Sequence, residues 1–174
     1  MSLKNSSVAS KIPKTLEKNL NHKRIKKIYQ NFEKNINISE KFIVAVSGGP
    51  DSLALAFLAK IYSIKKRLIA KFFIVDHKLR KGSTKEAKKT QKILKNYFID
   101  TKILTWFGKK PLKNIQSIAR EKRYQLLFLE SDKLKINNIL VGHNENDLFE
   151  NFFIRMLRGS GLKGLVSLDK EVVL

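Results

Sequence analysis

Six consecutive residues, Ser47-Gly48-Gly49-Pro50-Asp51-Ser52, have the chemistry needed to hold a chain of phosphates. Two glycines permit backbone angles and a close approach that a side chain would forbid, so that successive N–H groups can turn toward phosphate oxygens. A helix opening near Ser52 would add the positive end of its dipole. Ser47 and Ser52 offer hydroxyl donors. The carboxylate of Asp51 would repel phosphate directly and is better suited to holding Mg²⁺ against it. The loop is not of the Walker A kind, because no lysine follows its last glycine. A tight strand-to-helix turn would use some of the same residues, so the chemistry rests on the whole hexapeptide in a strand-loop-helix context.

Two further polar clusters stand out. In Val75-Asp76-His77-Lys78-Leu79-Arg80, the residues Asp76, His77 and Arg80 are candidate ligand contacts. His77 is a poor metal ligand, since no second His or Cys lies nearby at metal spacing. In the other cluster, His143 precedes a helical pattern over residues 145–158. Leu148, Phe149, Phe152, Phe153, Met156 and Leu157 make its apolar face, and Asp147, Glu150, Asn151, Arg155 and Arg158 the opposite arc. Asn144 is suited to the N-cap and Gly159 to the left-handed C-cap. An imidazole and two carboxylates would thus gather near a helix start.

The elements that must position these clusters follow from periodicity. Residues 42–46, 72–75 and 139–142 are nearly continuous apolar runs, the pattern of strands buried on both faces, and residues 101–106 form a weaker fourth. Helical patterns lie between them at residues 52–62, 84–97 and 115–133. Such alternation predicts an α/β fold, a doubly wound, mostly parallel sheet with helices on both faces. All three polar clusters then fall at carboxyl ends of strands, where ligands bind in such folds. Ahead of the first strand, Leu16, Leu20, Ile28 and Phe32 recur at helix-like intervals and predict a leading amphipathic helix, with an unstructured start before about residue 14.

Composition narrows the class. The 174 residues carry 36 Lys+Arg against 15 Asp+Glu, a formal charge of +21, which points to a polyanionic partner with nucleic acid first among them. A Lys-, Ile- and Asn-rich composition also follows from A/T-rich coding, so the excess is not by itself a binding site. There is no cysteine, which removes disulfides and Cys-held zinc or Fe–S clusters and fits a reducing, cytoplasmic setting. The first residues lack a signal-peptide apolar core, and the longest apolar run, residues 53–59, is far shorter than a membrane span.

The hexapeptide resembles the SGGxDS pyrophosphate loop of the N-type ATP pyrophosphatases (the PP-loop superfamily), whose fold is adenine nucleotide alpha hydrolase-like. Gly142-His143-Asn144-Glu145-Asn146-Asp147-Leu148-Phe149-Glu150-Asn151, with Arg155-Met156-Leu157-Arg158-Gly159-Ser160-Gly161-Leu162-Lys163-Gly164-Leu165, resembles the diagnostic stretch of the tRNA(Ile)-lysidine synthase family. The Val75 to Arg80 segment, Trp106, Lys110-Pro111 and the segment from Gln116 to Tyr124 are similar to further motifs of that family, in the same order. Residues 41–168 carry the resemblance. Two departures are visible: Asn146 stands where the family usually has a second carboxylate, and Leu148 and Asn151 stand where Gln and Thr are common.

The resemblance implies a ligase that cleaves ATP between its α- and β-phosphates, adenylates the wobble cytidine of isoleucine tRNA with a CAU anticodon, and joins free L-lysine to it. ATP contacts would come from Ser47, Gly48, Gly49, Pro50, Asp51, Ser52, Asp76, His77 and Arg80, with Asp51 on Mg²⁺. Asp51, His143 and Asp147 would be catalytic, Asp147 and Glu150 would bind lysine, and Arg120, Arg123, Arg155 and Arg158 would meet tRNA or phosphate. Two other readings stay open: a different adenylating enzyme of the PP-loop superfamily, and a non-catalytic basic RNA-binding fragment of the same fold. Thiolation by relatives that use paired cysteines is disfavoured by the cysteine count. Residues 1–40 are expected to form a basic tail and leading helix, and residues 41–174 a catalytic domain. Glu171-Val172-Val173-Leu174 reads either as an interrupted strand or as a C-terminal edge strand. Family members continue into further tRNA-binding domains, so truncation at the C-terminus, with ATP binding but weak or undetectable lysidine formation, is the expectation.

Overall fold

The computed structural model describes residues 12–109, 111 and 113–142. The chain divides into two compact units, Met1–Val141 and Gly142–Leu174, and every element described below lies in the first. In chain order these are α1 (Lys14–Leu20), α2 (Lys23–Asn35), β1 (Phe42–Val46), α3 (Pro50–Lys66), β2 (Ala70–Asp76), α4 (Ser83–Lys95), β3 (Thr101–Thr105), α5 (Ile115–Leu134) and β4 (Asn138–Val141). The expected helix over residues 145–158 lies outside the described residues.

The strands form one parallel sheet in the order β3-β2-β1-β4. Parallel strands need helical crossovers, and these are almost always right-handed. While the chain steps from β1 to β2 to β3, the crossovers α3 and α4 therefore share one face. When it returns past β1 to add β4, α5 must lie on the other. Alternate residues of the central strand divide accordingly. Phe42, Val44 and Val46 pack with Phe72, Ile74, Ala56, Ala59, Ile61, Ala87 and Leu94, whereas Ile43 and Ala45 pack with Phe73, Leu104, Leu127 and Ile136. All five residues of β1 are buried, as its unbroken apolar run requires.

The leading segment differs from expectation. Two helices replace one, because Asn21 caps α1 and His22 adopts extended backbone before α2. That break re-phases the helical wheel: Leu16 and Leu20 remain buried, but Tyr29 turns inward and Ile28 is left 55% exposed. Both helices contribute to the main core, with Leu20 and Tyr29 in the cluster around Phe42 and Tyr62. Among the described residues no helix is long and apolar enough to cross a membrane.

Reversal of strand order places the topological switch point between β1 and β4. In open α/β sheets the crevice outside the carboxyl ends of the strands at that point is where ligands bind. The loop that leaves β1 there is residues 47–49.

Candidate functional site

Helix α3 starts earlier than its apolar pattern suggests. Gly49 is the N-cap and Pro50 occupies the first helical position, where its fixed φ is already helical and its missing N–H costs nothing. Asp51 is exposed in the first turn, beside the amides that point out of the helix toward the loop.

The loop is braced from within. The Ser52 hydroxyl, 2% exposed, accepts the N–H groups of Ser47 and Gly48 at 3.2 Å each and donates to the Gly49 carbonyl at 2.9 Å. Its one proton is therefore spent on the loop. The Ser47 hydroxyl donates to Ser52 Oγ at 3.0 Å and sits at the exposed mouth, and the Gly49 N–H reaches it only at 3.5 Å. In this arrangement Ser52 is the buried frame of the loop, while the exposed Ser47 hydroxyl and the weakly bonded Gly49 N–H at the mouth are the groups that can exchange their internal bonds for a phosphate.

The two glycines are not equivalent. Gly48 has φ +92°, and a Cβ there would lie 2.5 Å from Oγ1 of the buried Thr90 on α4. Gly49 has ordinary extended backbone, φ −72°, and a Cβ there would meet nothing closer than Ser47 Oγ at 3.7 Å. The first glycine is demanded by the fold, while the second leaves room above the loop mouth.

Asp76, at the end of β2, is buried and fully occupied. It accepts from the Ser83 hydroxyl at 2.7 Å, the Thr84 hydroxyl at 2.5 Å and the Lys78 N–H at 3.1 Å, tying the β2–α4 loop to the start of α4. Burial alone would push its carboxyl up, but the Thr84 and Ser83 hydroxyls and the Lys78 amide outweigh it and hold the group below the usual carboxylate range. A lowered folded value stabilises the protein at pH values above the unfolded one, near 4, and that contribution fades as pH falls below it. Asp76→Asn should therefore cost about 1–3 kcal/mol at pH 7. Thermal melts at pH 7 and pH 3 should show the gap between wild type and variant closing in acid.

Beside it, His77 accepts the Leu79 N–H on Nδ1 at 3.2 Å, which places the imidazole proton on Nε2. Burial, then the positive charges of Arg123 and Arg80, hold this imidazole below its ordinary value, so it is neutral at pH 7. Arg80 itself pairs with Glu86 at the surface. Arg123 is half-buried, and Arg120 lies 5.5 Å from the Tyr124 ring centroid. The structure thus brings Asp76, His77, Arg80 and Arg123 to one strand end. His143, Asp147, Glu150, Arg155 and Arg158 lie outside the described residues.

Sequence reading missed several partners. Thr90, Ser83 and Thr84 act through long-range or loop contacts that no motif marks. Lys78, at φ +51°, sets its ammonium 4.5 Å above the ring of Phe107, which is 82% exposed. The neighbouring Trp106 continues the ladder by donating its N–H to the Asp76 carbonyl, and its ring covers Gly108 so closely that a Cβ there would fall 2.0 Å away. An exposed aromatic face beside a cation is suited to stacking a nucleobase.

Among the described residues there is no cluster of three or more His, Cys, Asp or Glu side chains able to hold a metal. Mg²⁺ in nucleotide sites needs only one or two carboxylates, with phosphate oxygens and water completing its octahedron. The exposed Asp51 carboxylate meets that requirement.

The sequence and the fold both have known relatives. Residues 17–174 match the PP-loop domain family. The chain is 42% identical over 136 residues to the tRNA(Ile)-lysidine synthase of Orientia tsutsugamushi, covering 78% of this chain and 30% of that protein. It is 35% identical over 132 residues to the enzyme of the same name from Rhodopseudomonas palustris, covering 75% and 38%, and 37% identical over 146 residues to that from Rickettsia africae, covering 80% and 30%. The chain thus spans about a third of the length of these relatives. Among solved structures, the U34-tRNA thiolase NcsA from Methanococcus maripaludis with its [4Fe-4S] cluster superposes with a TM-score of 0.71 at 22% identity, over 86% of this chain and 54% of that one, which establishes a shared fold.

Proposed function

The chain belongs to the PP-loop domain family, and from that premise we propose that it carries the ATP-cleaving site of a tRNA(Ile)-lysidine synthase. The observation that carries this reading is the loop of residues 47–52, with Gly48 locked against α4 and its mouth at the switch point of a parallel sheet. Relatives bearing that enzyme's name at 35–42% identity support the choice of tRNA as acceptor.

In the first step the wobble cytidine oxygen on carbon 2 attacks the α-phosphorus of ATP, the bond to the β-phosphate breaks, and pyrophosphate leaves. The Gly49 amide, the Ser47 hydroxyl and the first-turn amides of α3 stabilise the charge that builds on the leaving group. Asp51 would hold Mg²⁺, which would supply further charge neutralisation. In the second step the lysine ε-amine attacks carbon 2, the bond to the AMP oxygen breaks, and the amine loses its proton. Asp147 and Glu150 bind lysine and His143 assists at the adenylated base. Neutral His77, with Arg80 and Arg123, lines the nucleotide side, while Arg120, Arg155 and Arg158 meet RNA or phosphate.

The test incubates the chain with Mg-ATP, lysine and the CAU isoleucine tRNA transcript and reads the wobble cytidine by mass spectrometry. An AMP or lysine adduct at that nucleotide, even at low yield, carries the reading. Adenylation of a different acceptor sinks it in favour of another adenylating activity, and no Mg-ATP-dependent shift in melting temperature sinks it in favour of an RNA-binding role. Glu150→Ala should retain AMP transfer while raising the lysine concentration needed by at least about tenfold, the worth of one charged contact. An unchanged lysine dependence would remove Glu150 from its assigned place.

A further inference from the structure

Helix α4 has two faces with different work. Its inner face, Ser83, Ala87, Thr90 and Leu94, is buried, and through Thr90 and Ser83 it supports both the phosphate loop and Asp76. Its outer face carries Lys85, Lys88, Lys89, Lys92 and Lys95, all exposed. At about 100° per residue these five fall within an arc of about 120°, opposite the buried side, and span about 15 Å of helix. The one acidic residue of the helix, Glu86, is engaged by Arg80. Among the described residues none of the five lysines has an ion pair.

Such a ridge is unfavourable by itself, because like charges three and four residues apart on a helix repel one another. Elsewhere the same lysine-rich chain offsets its cations, as where Glu130 takes both Lys102 and Lys133. We infer that the α4 ridge is a binding surface for the phosphodiester backbone of RNA, guiding the strand whose reactive base enters the site beside the phosphate loop. This rests on the tRNA reading above and extends it to residues outside the nucleotide site. The outer arc has no apolar side chain to insert into a bilayer, which favours RNA over an anionic membrane. Placement favours α4 over the other basic helix, α2. The latter packs its Tyr29 under Lys65, at the end of α3 about 22 Å from the loop by helix length.

The experiment compares three forms of the 174-residue chain for binding to the tRNA transcript without ATP or lysine, across a salt series. One is wild type. The second carries Lys85→Gln, Lys88→Gln, Lys89→Gln, Lys92→Gln and Lys95→Gln. The third carries Lys23→Gln, Arg24→Gln, Lys26→Gln, Lys27→Gln and Lys34→Gln on α2. Glutamine is a good helix former and every site is exposed, so melting should move little. The α4 variant should lose at least about tenfold in affinity near 0.1 M salt, and its slope of log K against log salt should fall by about 3, from about 0.7 per phosphate contact on a single strand. The α2 variant should keep most of both. An unchanged slope in the α4 variant, or an equal loss in both variants, overturns the ridge. So does α4-dependent binding to phosphatidylserine vesicles that matches or exceeds binding to RNA. A wild-type chain that binds RNA through α4 yet shows no Mg-ATP-dependent shift in melting temperature sinks the lysidine reading alone and leaves the ridge standing.

Discussion

Asp51→Ala is expected to reduce tRNA-dependent pyrophosphate release by about 10³-fold, the scale on which loss of one group stabilising transition-state charge is felt. Asp51 is exposed at the first turn of α3 and lies outside the buried core, so truncation should leave the fold in place. Activity and stability should therefore separate. The measurements are pyrophosphate release with saturating ATP and tRNA, and a thermal melt of the same preparation. Mg-ATP should shift the melting temperature of wild type and shift that of the variant less. Release within about tenfold of wild type would remove Asp51 as the group that holds Mg²⁺ against the phosphates, and the reading of the loop would then rest on its backbone donors alone.

Gly48→Ala is expected to damage the protein in a different way, through the fold itself. Its φ of +92° lies where L-residues are strained by about 1–3 kcal/mol. A Cβ would in addition stand 2.5 Å from Thr90 Oγ1, in a place that is buried and packed. The two costs can be divided. Thr90→Ala removes the oxygen in question, so the double variant Gly48→Ala/Thr90→Ala should recover the steric part relative to Gly48→Ala alone and retain the conformational part. Thr90→Ser keeps the oxygen and should recover little. Gly49→Ala meets neither obstacle, and should melt within a few degrees of wild type while losing ATP affinity, because its methyl group projects where phosphate must approach. Denaturant unfolding of these four variants, with nucleotide binding measured in parallel, checks the scheme. Equal destabilisation at the two glycines would contradict it.

Much of the scaffold was legible before folding was considered, because its signals are local. Continuous apolar runs at residues 42–46 and 72–75 mark doubly buried strands, and among the described residues each strand lies within two residues of its expected bounds. The α3 start was placed late because Pro50 and Asp51 are polar or apparent helix breakers, though both suit a first turn. The single leading helix failed for a similar reason: two residues, Asn21 and His22, suffice to re-phase a pattern that counts only apolar intervals.

The candidate site divides along the same line. From residue order alone one could say that Ser47-Gly48-Gly49-Pro50-Asp51-Ser52 follows a buried strand and opens a helix, and that a carboxylate there suits a metal-phosphate pair. Lysines at 85, 88, 89, 92 and 95 could also be seen to share an arc. What only the tertiary structure decided was which partners these residues meet. Thr90 lies 42 residues from Gly48, Ser83 and Thr84 fold back onto Asp76, and Phe107 comes under Lys78. The Gly48–Thr90 and Lys78–Phe107 pairings arise because neighbouring parallel strands bring their carboxyl ends, and the segments that leave them, together, while the Asp76 pairings close the short loop between β2 and α4. The contact that distinguishes the required glycine from the permissive one is therefore long-range, and periodicity carries no trace of it; the bracing serine differs from the exposed one through bonds within the loop, which depend on a turn geometry that residue order does not print.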